Sequence, residues 1–180
     1  MEGKLVRIRA YEKSDLDALM KWVNDEEVTR NLAASMIYPL SRAAEESYLS
    51  TNASGGSPDC RWAIETLAGD YLGGISLMTI DWINRSAQVG IVIGIKQHWG
   101  KGYGTDAMRV LLRFAFEKMN LHRVWLNAYD FNTRGIKSYE KCGFQREGVQ
   151  REYRFLDGRY HDSVLMAILE REYSEAAKTW

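Results

Sequence analysis

Three glycines at alternate positions, Gly100, Gly102 and Gly104, offer the clearest chemistry in the chain. An apolar run over 89–95 precedes them. Behind them Met108, Leu111, Leu112, Ala115 and Met119 share one helical face. A short β-branched run bounded by breakers reads as a buried strand, and the pattern after it as an amphipathic helix. Glycine lets the backbone curl and bare its N–H groups. The helix turns its unpaired amides and positive dipole end back into that loop. Such a place suits an anion, most simply phosphate or pyrophosphate. A plain glycine turn with no ligand would share the spacing.

Two other phosphate loops do not fit. A P-loop separates its first Gly from Gly-Lys-Ser/Thr by four residues. Here five residues separate Gly94 from Gly100, and Gly102 follows Lys101. A dinucleotide fingerprint opens a βαβ unit early in the sheet, whereas most strand patterns here come before the glycines. Other reactive side chains lack partners in sequence. Cys60 and Cys142 are isolated, and His98, His122 and His161 are scattered, so no metal site is expected.

Trp99-Gly100-Lys101-Gly102-Tyr103-Gly104-Thr105 resembles the acetyl-coenzyme A loop of the GNAT acyltransferases, written Arg/Gln-x-x-Gly-x-Gly/Ala. Asn132-Thr133-Arg134-Gly135-Ile136-Lys137-Ser138-Tyr139-Glu140-Lys141-Cys142-Gly143-Phe144 is similar to the second signature of that family, Asn…Tyr-x-x-x-Gly-Phe. The likeness spans nearly the whole chain. It is nearest to the branch of ribosomal-protein N-terminal and spermidine acetyltransferases. Trp99 departs from the Arg or Gln of many members, a change that branch tolerates.

The resemblance implies acetyl transfer from acetyl-coenzyme A to an amine, with no metal. It also implies roles. The amides of Gly100, Lys101, Gly102, Tyr103, Gly104 and Thr105 would cage the pyrophosphate. The amide arm of the coenzyme would pair with the strand edge at Val92, Ile93 and Gly94, which requires that strand to splay from its neighbour at 123–129. Gly90 and Gly94 suit either a bulge beside the splay or close packing. An N–H near Ile93 or Gly94 would hold the oxyanion. Tyr139 takes the general-acid position. Asn132 would contact the coenzyme, cap the next helix, or both. Many relatives carry a glutamate base where this chain has Gln88 or Asn127, so the base is open between Glu26, Asp130 and a held water.

The elements that must position these groups follow from pattern. A first strand covers 5–9. A helix capped at Ser14 or Asp15 buries Leu16, Leu19, Met20 and Val23, and helix continues over 22–31. Ser41 caps a helix over 42–50, and 52–59 reads as a flexible loop. Strands follow at 61–66, 72–81 and 86–95. After the main helix come a strand at 123–129, a short helix at 133–142, and a hairpin of 144–155 with 160–170 around Asp157-Gly158. The expected fold is mixed α/β, a mostly antiparallel splayed sheet of about seven strands flanked by helices.

The bulk properties agree with an enzyme of this kind. The 180 residues make one domain, 1–180, with a real core. Twenty-four basic and 24 acidic residues balance to zero, against a general nucleic-acid or membrane binder. The isolated cysteines and the absence of an apolar leader point to the cytoplasm. A peptide N-terminal α-amine, as on a ribosomal protein, is the first acceptor, with polyamine second and an amino sugar or aminoglycoside third. A coenzyme-binding sensor without catalysis is the rival from another class. The 144–170 hairpin offers a pairing edge for a homodimer.

Overall fold

The structure, a computed structural model, describes residues 1–53 and 59–180. Seven strands form one sheet: β1 (Val6–Arg9), β2 (Cys60–Thr66), β3 (Tyr71–Asp81), β4 (Ser86–Ile93), β5 (Arg123–Tyr129), β6 (Gln145–Leu156) and β7 (Arg159–Leu169). Their spatial order is β1-β2-β3-β4-β5-β7-β6. Neighbours pair antiparallel except β4 with β5, which run parallel. A parallel pair needs a crossover, and helix α4 (Tyr103–Glu117) supplies it. The other helices are α1 (Asp15–Leu19), α2 (Glu26–Thr29), α3 (Arg42–Ala53), α5 (Thr133–Glu140) and α6 (Glu170–Ala176). The sheet is therefore mixed and mostly antiparallel, as expected. Among the described residues no helix is long and apolar enough to cross a membrane.

Both faces of the sheet are covered. On one, Met108, Leu111 and Leu112 of α4 pack on Ile75, Leu77, Val124 and Leu126. On the other, Trp22, Val23 and Leu49 cover Ala63 and Tyr71. The chain start is tied to α4 by one side chain. The Asp106 carboxylate accepts from the amides of Lys4, Leu5 and Val6 at 3.2, 2.7 and 3.1 Å. It sits in the first turn of α4, where the helix dipole also favours an anion.

Several expectations are corrected. The helix expected over 22–31 breaks. Asp25 takes an extended backbone and its side chain accepts from Glu27 N–H, so a separate helix, α2, starts there. Ser14 occupies the N-cap of α1 without a side-chain cap bond, and Asp15 instead pairs with Arg9. The strand expected over 86–95 stops at Ile93. The bulge lies not at Gly90 or Gly94 but across the ladder in β3, where the register shifts between Met78 and Asp81 and Thr79 takes φ 47°. Gly94 is a packing glycine: a Cβ there would stand 2.2 Å from the Trp22 ring. Asp157-Gly158 does turn the last hairpin, with positive φ at both residues. Helix α6 was not foreseen. Its first turn is fixed by Glu172, which accepts from Leu169 N–H at 2.9 Å. Most of the loop expected at 52–59 lies outside the described residues, and Asn52 belongs to α3.

Candidate active site

The site begins where two strands part. β4 pairs with β5 only over Ser86↔Arg123, Ala87↔Val124 and Gln88↔Trp125. Past Gln88, β4 stays on β3 as far as Gly73↔Ile93, while β5 stays on β7 as far as Tyr129↔Ser163. A cleft of about 690 Å³ opens between them. Antiparallel pairing alternates, so successive residues of β4 turn their amides to opposite sides. Gly94 N–H donates to Leu72 at 2.8 Å, which assigns Gly94, Val92 and Gly90 to the β3 side. Ile91 and Ile93 turn theirs to the cleft. The Ile93 carbonyl is taken: Trp99 Nε1 donates to it at 2.6 Å.

The loop follows at once. Gly100 and Gly102 have φ of 72° and 92°, a left-handed backbone that side chains disfavour. Gly102 is the N-cap of α4 and brings no side chain to it. Among the described residues no protein acceptor takes the amides of Gly100 to Thr105. These amides and the dipole end of α4 together form an anion cradle.

Across the cleft stands α5. Asn132 caps it by accepting from Gly135 N–H at 3.0 Å, and also lines the cleft. Gly135 is glycine because a Cβ would meet the Asn132 amide at 2.6 Å. The Thr105 and Ser138 hydroxyls meet at 2.8 Å and join α5 to the start of α4. The next residue, Tyr139, lines the cleft with its ring edge-on to Phe144, and burial pushes its phenol up to about 12.

A family model described as an acetyltransferase (GNAT) domain matches residues 6–145. The chain is a GNAT acetyltransferase. It is 30% identical over 168 residues to the uncharacterized N-acetyltransferase p20 of Bacillus licheniformis, covering 93% of this chain and 94% of that one. It is 34% identical over 113 residues to the spermidine N(1)-acetyltransferase of Vibrio cholerae, covering 63% and 65%. The crystal structure of spermidine N-acetyltransferase from Vibrio cholerae, in complex with CoA and spermine, superposes with a TM-score of 0.81 at 28% identity, over 94% of this chain and 98% of that one.

In this acetyltransferase the cleft gathers Val92, Ile93, Gly100, Gly102, Tyr103, Gly104, Thr105, Asn132 and Tyr139. Gly94 is buried behind Trp22 and lies outside its lining, as does Lys101. Of the expected edge Val92-Ile93-Gly94, then, only Ile93 turns its backbone to the cleft. Ile91, not among the expected residues, also turns its backbone there; its parity with Ile93 was the signal. Arg134 was also missed. Its guanidinium lies 3.7 Å from the centroid of the Trp99 ring, and burial lowers its pKa.

The far wall of the acetyltransferase is neutral. Leu32, Met78, Gln88, Asn127, Tyr129 and Tyr153 line it. Asn127 donates to Gln150 Oε1 at 3.1 Å, and its own buried Oδ1 has no partner. Arg154 lies 4.5 Å from the Tyr129 centroid and donates to the Leu32 carbonyl at 2.5 Å, fixing the loop that closes this end. Neither candidate base reaches the cleft lining. Glu26 is exposed on α2, and Asp130 is held by His161 Nδ1 at 3.2 Å. Cys142 is buried against the Thr105 carbonyl, and burial pushes its thiol up to about 12, so it is no nucleophile.

Proposed function

We propose that this acetyltransferase moves an acetyl group from acetyl-coenzyme A directly to a primary amine, and that the preferred amine is a peptide N-terminal α-amine. The splay of β4 from β5 beside an unpartnered glycine loop carries the reading. The amides of Gly100 to Thr105 hold the diphosphate. Ile91 and Ile93 offer strand-like bonds to the coenzyme's amide arm. That arm brings the thioester to the end of β4, where the Ile93 amide can stabilise the oxyanion. One such donor is worth roughly 3–4 kcal/mol in other acyl-transfer enzymes.

The amine attacks the thioester carbon, the N–C bond forms and the C–S bond breaks. The nitrogen sheds a proton and the sulfur gains one. Tyr139 serves the sulfur end of that exchange. With its phenol near 12 it is a weaker acid than a thiol of about 8.5, so it acts as a hydrogen-bond donor to the sulfur as the bond breaks. The net proton comes from the attacking nitrogen, which is strongly acidic once acylated. Asn127 Oδ1, buried and unpartnered, suits the N–H of the incoming amine or of a relaying water.

The acceptor reading rests on the wall chemistry. The titratable side chains lining the cleft are basic or phenolic: His98, Tyr103, Tyr129, Arg134, Lys137, Tyr139, Lys141 and Tyr153. With no carboxylate among them, the amine must arrive neutral or lose its proton to water. An α-amine of pKa about 7.7–8.0 is neutral in roughly a tenth of molecules at pH 7; one near 10.4 is neutral in about one in a few thousand. A polyamine is the second reading, favoured by likeness to spermidine acetyltransferases. Thiol release from acetyl-coenzyme A, measured with N-terminal peptides, spermidine and an aminoglycoside, tests both. The highest kcat/KM is expected with a peptide. A spermidine optimum would install the second reading, and no release with any amine would leave a binding module.

A further inference from the structure

One buried cation stands behind the neutral far wall. Arg154 of β6 is 4% exposed, and its partners are the Leu32 carbonyl, bonded by Nη1, and the Tyr129 ring. Its Nη2 is buried with no partner. Among the described residues no carboxylate pairs with it, whereas the less buried Arg9 is held by both Asp15 and Glu65. Buried arginines are nearly always paired, because a desolvated charge is costly. A carbonyl and a ring face ease that cost without neutralising the charge.

The charges around Arg154 are engaged elsewhere. His161, opposite it on β7, holds Asp130 at 3.2 Å and receives Arg159 Nε at 3.3 Å. Arg30, over the Phe131 ring, is paired with Asp157 at 2.7 Å. Asp25 and Glu27 are both on Lys96. Asp162 turns to the other face of β7, and Glu26 and Glu152 are exposed. Within the cleft, the titratable groups on the strands, the glycine loop and α5 are basic or phenolic. The positive charge of Arg154 is thus left uncompensated, one side chain behind Leu32 and Tyr129, which line the acceptor end.

We infer that Arg154 is a specificity-determining residue for the acceptor: its uncompensated charge makes the bound amine give up its proton to water and turns away acceptors that carry further positive charges. A neighbouring cation disfavours the protonated form of an amine. Two charges about 9 Å apart, at an effective dielectric of about 20, shift each other by roughly one pKa unit. An amine in contact with Tyr129 lies at about that distance. A chain with no carboxylate at the acceptor end would in this way replace a general base by an electrostatic field. This rests on the amine-transfer reading of the cleft.

A pH profile of turnover, with saturating acetyl-coenzyme A and Ala-Gly-Gly amide as acceptor, tests it. In the native protein the acid limb of kcat, which reports the bound complex, is expected near pH 7 or below, about one unit under the free α-amine at 7.7–8.0. Arg154→Gln, which can still donate to the Leu32 carbonyl, and Arg154→Met, which keeps the bulk, are each expected to move that limb up by about one unit. Each is also expected to lower KM for spermidine at least threefold, with KM for acetyl-coenzyme A within twofold of native. Arg151→Gln, which removes an exposed charge of the same strand outside the cleft, is expected to change neither. A native limb at the free amine's own value, a limb that stays in place in the variants, an unchanged KM for spermidine, or a uniform loss of turnover at every pH would overturn the inference. If neither variant folds, the native limb decides it alone. No transfer by the native protein to any amine would instead sink the transfer reading, and this inference with it.

Discussion

At the scale of the residue, the roles proposed for Tyr139 and Gly102 can be tested separately. Tyr139→Phe removes a hydroxyl and leaves the ring on Phe144. Turnover is expected to fall about a hundredfold, the lower range for a hydrogen-bond donor to charge that develops in the transition state, with coenzyme affinity changed less than threefold. Steady-state kinetics beside calorimetry would check it; unchanged turnover would remove Tyr139 from the mechanism. Because burial holds this phenol near 12, its acidic form persists to about pH 11. An alkaline fall in kcat below pH 10 would therefore belong to another group, which a pH–rate profile of Tyr139→Phe would reveal by keeping the same limb. Gly102 sits at φ 92° in the cradle. Gly102→Glu adds backbone strain and an anion where an anion should bind, so coenzyme binding is expected to disappear in calorimetry. Gly104→Ala is the contrast: a Cβ there meets Ile93 Cγ1 at an ordinary 3.5 Å, and binding is expected within a few fold of native.

At the scale of the element, two joints hold the elements that border the cleft. One is Gly94, the residue after β4, packed on Trp22. Gly94→Ala drives a methyl into that indole, an overpacking that costs about 1–3 kcal/mol. The other is Asp106, which ties three successive amides of the chain start to α4. Charge-assisted bonds of this sort are worth about 1.5–3 kcal/mol each when not replaced by water, so partly exposed ones justify about 2–3 kcal/mol in total for Asp106→Ala. In a chain of this size that lowers the melting temperature by roughly 5–10 °C. Calorimetric melting within 2 °C of native would mean that β1 is held by its ladder to β2 alone.

At the scale of the whole molecule, buried phenols set the alkaline limit. Burial pushes Tyr139 and Tyr173 up to about 12 and raises Tyr11 and Tyr71 further; Tyr173 also donates to Glu117. In the unfolded chain these groups ionise near ~10. The neutral phenols are thus favoured by folding. Their contribution is complete below pH ~10 and is lost as pH rises from there toward 12. Urea midpoints are expected to hold between pH 8 and 9 and to drop steeply above 10. A midpoint that stays level to pH 11 would show that folding does not raise these phenols above their unfolded value.

The sequence by itself determined the order of the parts. Alternate glycines before an amphipathic helix, Asn132 seven residues before Tyr139, and Asp157-Gly158 between two strand patterns are local signals, read from neighbours along the chain. They were enough for the family, the mixed sheet and nine of the residues that line the cleft. What the tertiary structure decided were facts about pairs distant in sequence. β4 leaves β5 after Gln88, and that alone selects Ile91 and Ile93 over Val92 and Gly94, because strand parity depends on which neighbour takes which amide. Trp22 fills the space that made Gly94 look like a bulge. Arg134 meets Trp99 across the cleft, and Asp130 turns to His161. Spacing can place a side chain on a face; which partner waits opposite is fixed only when the sheet closes.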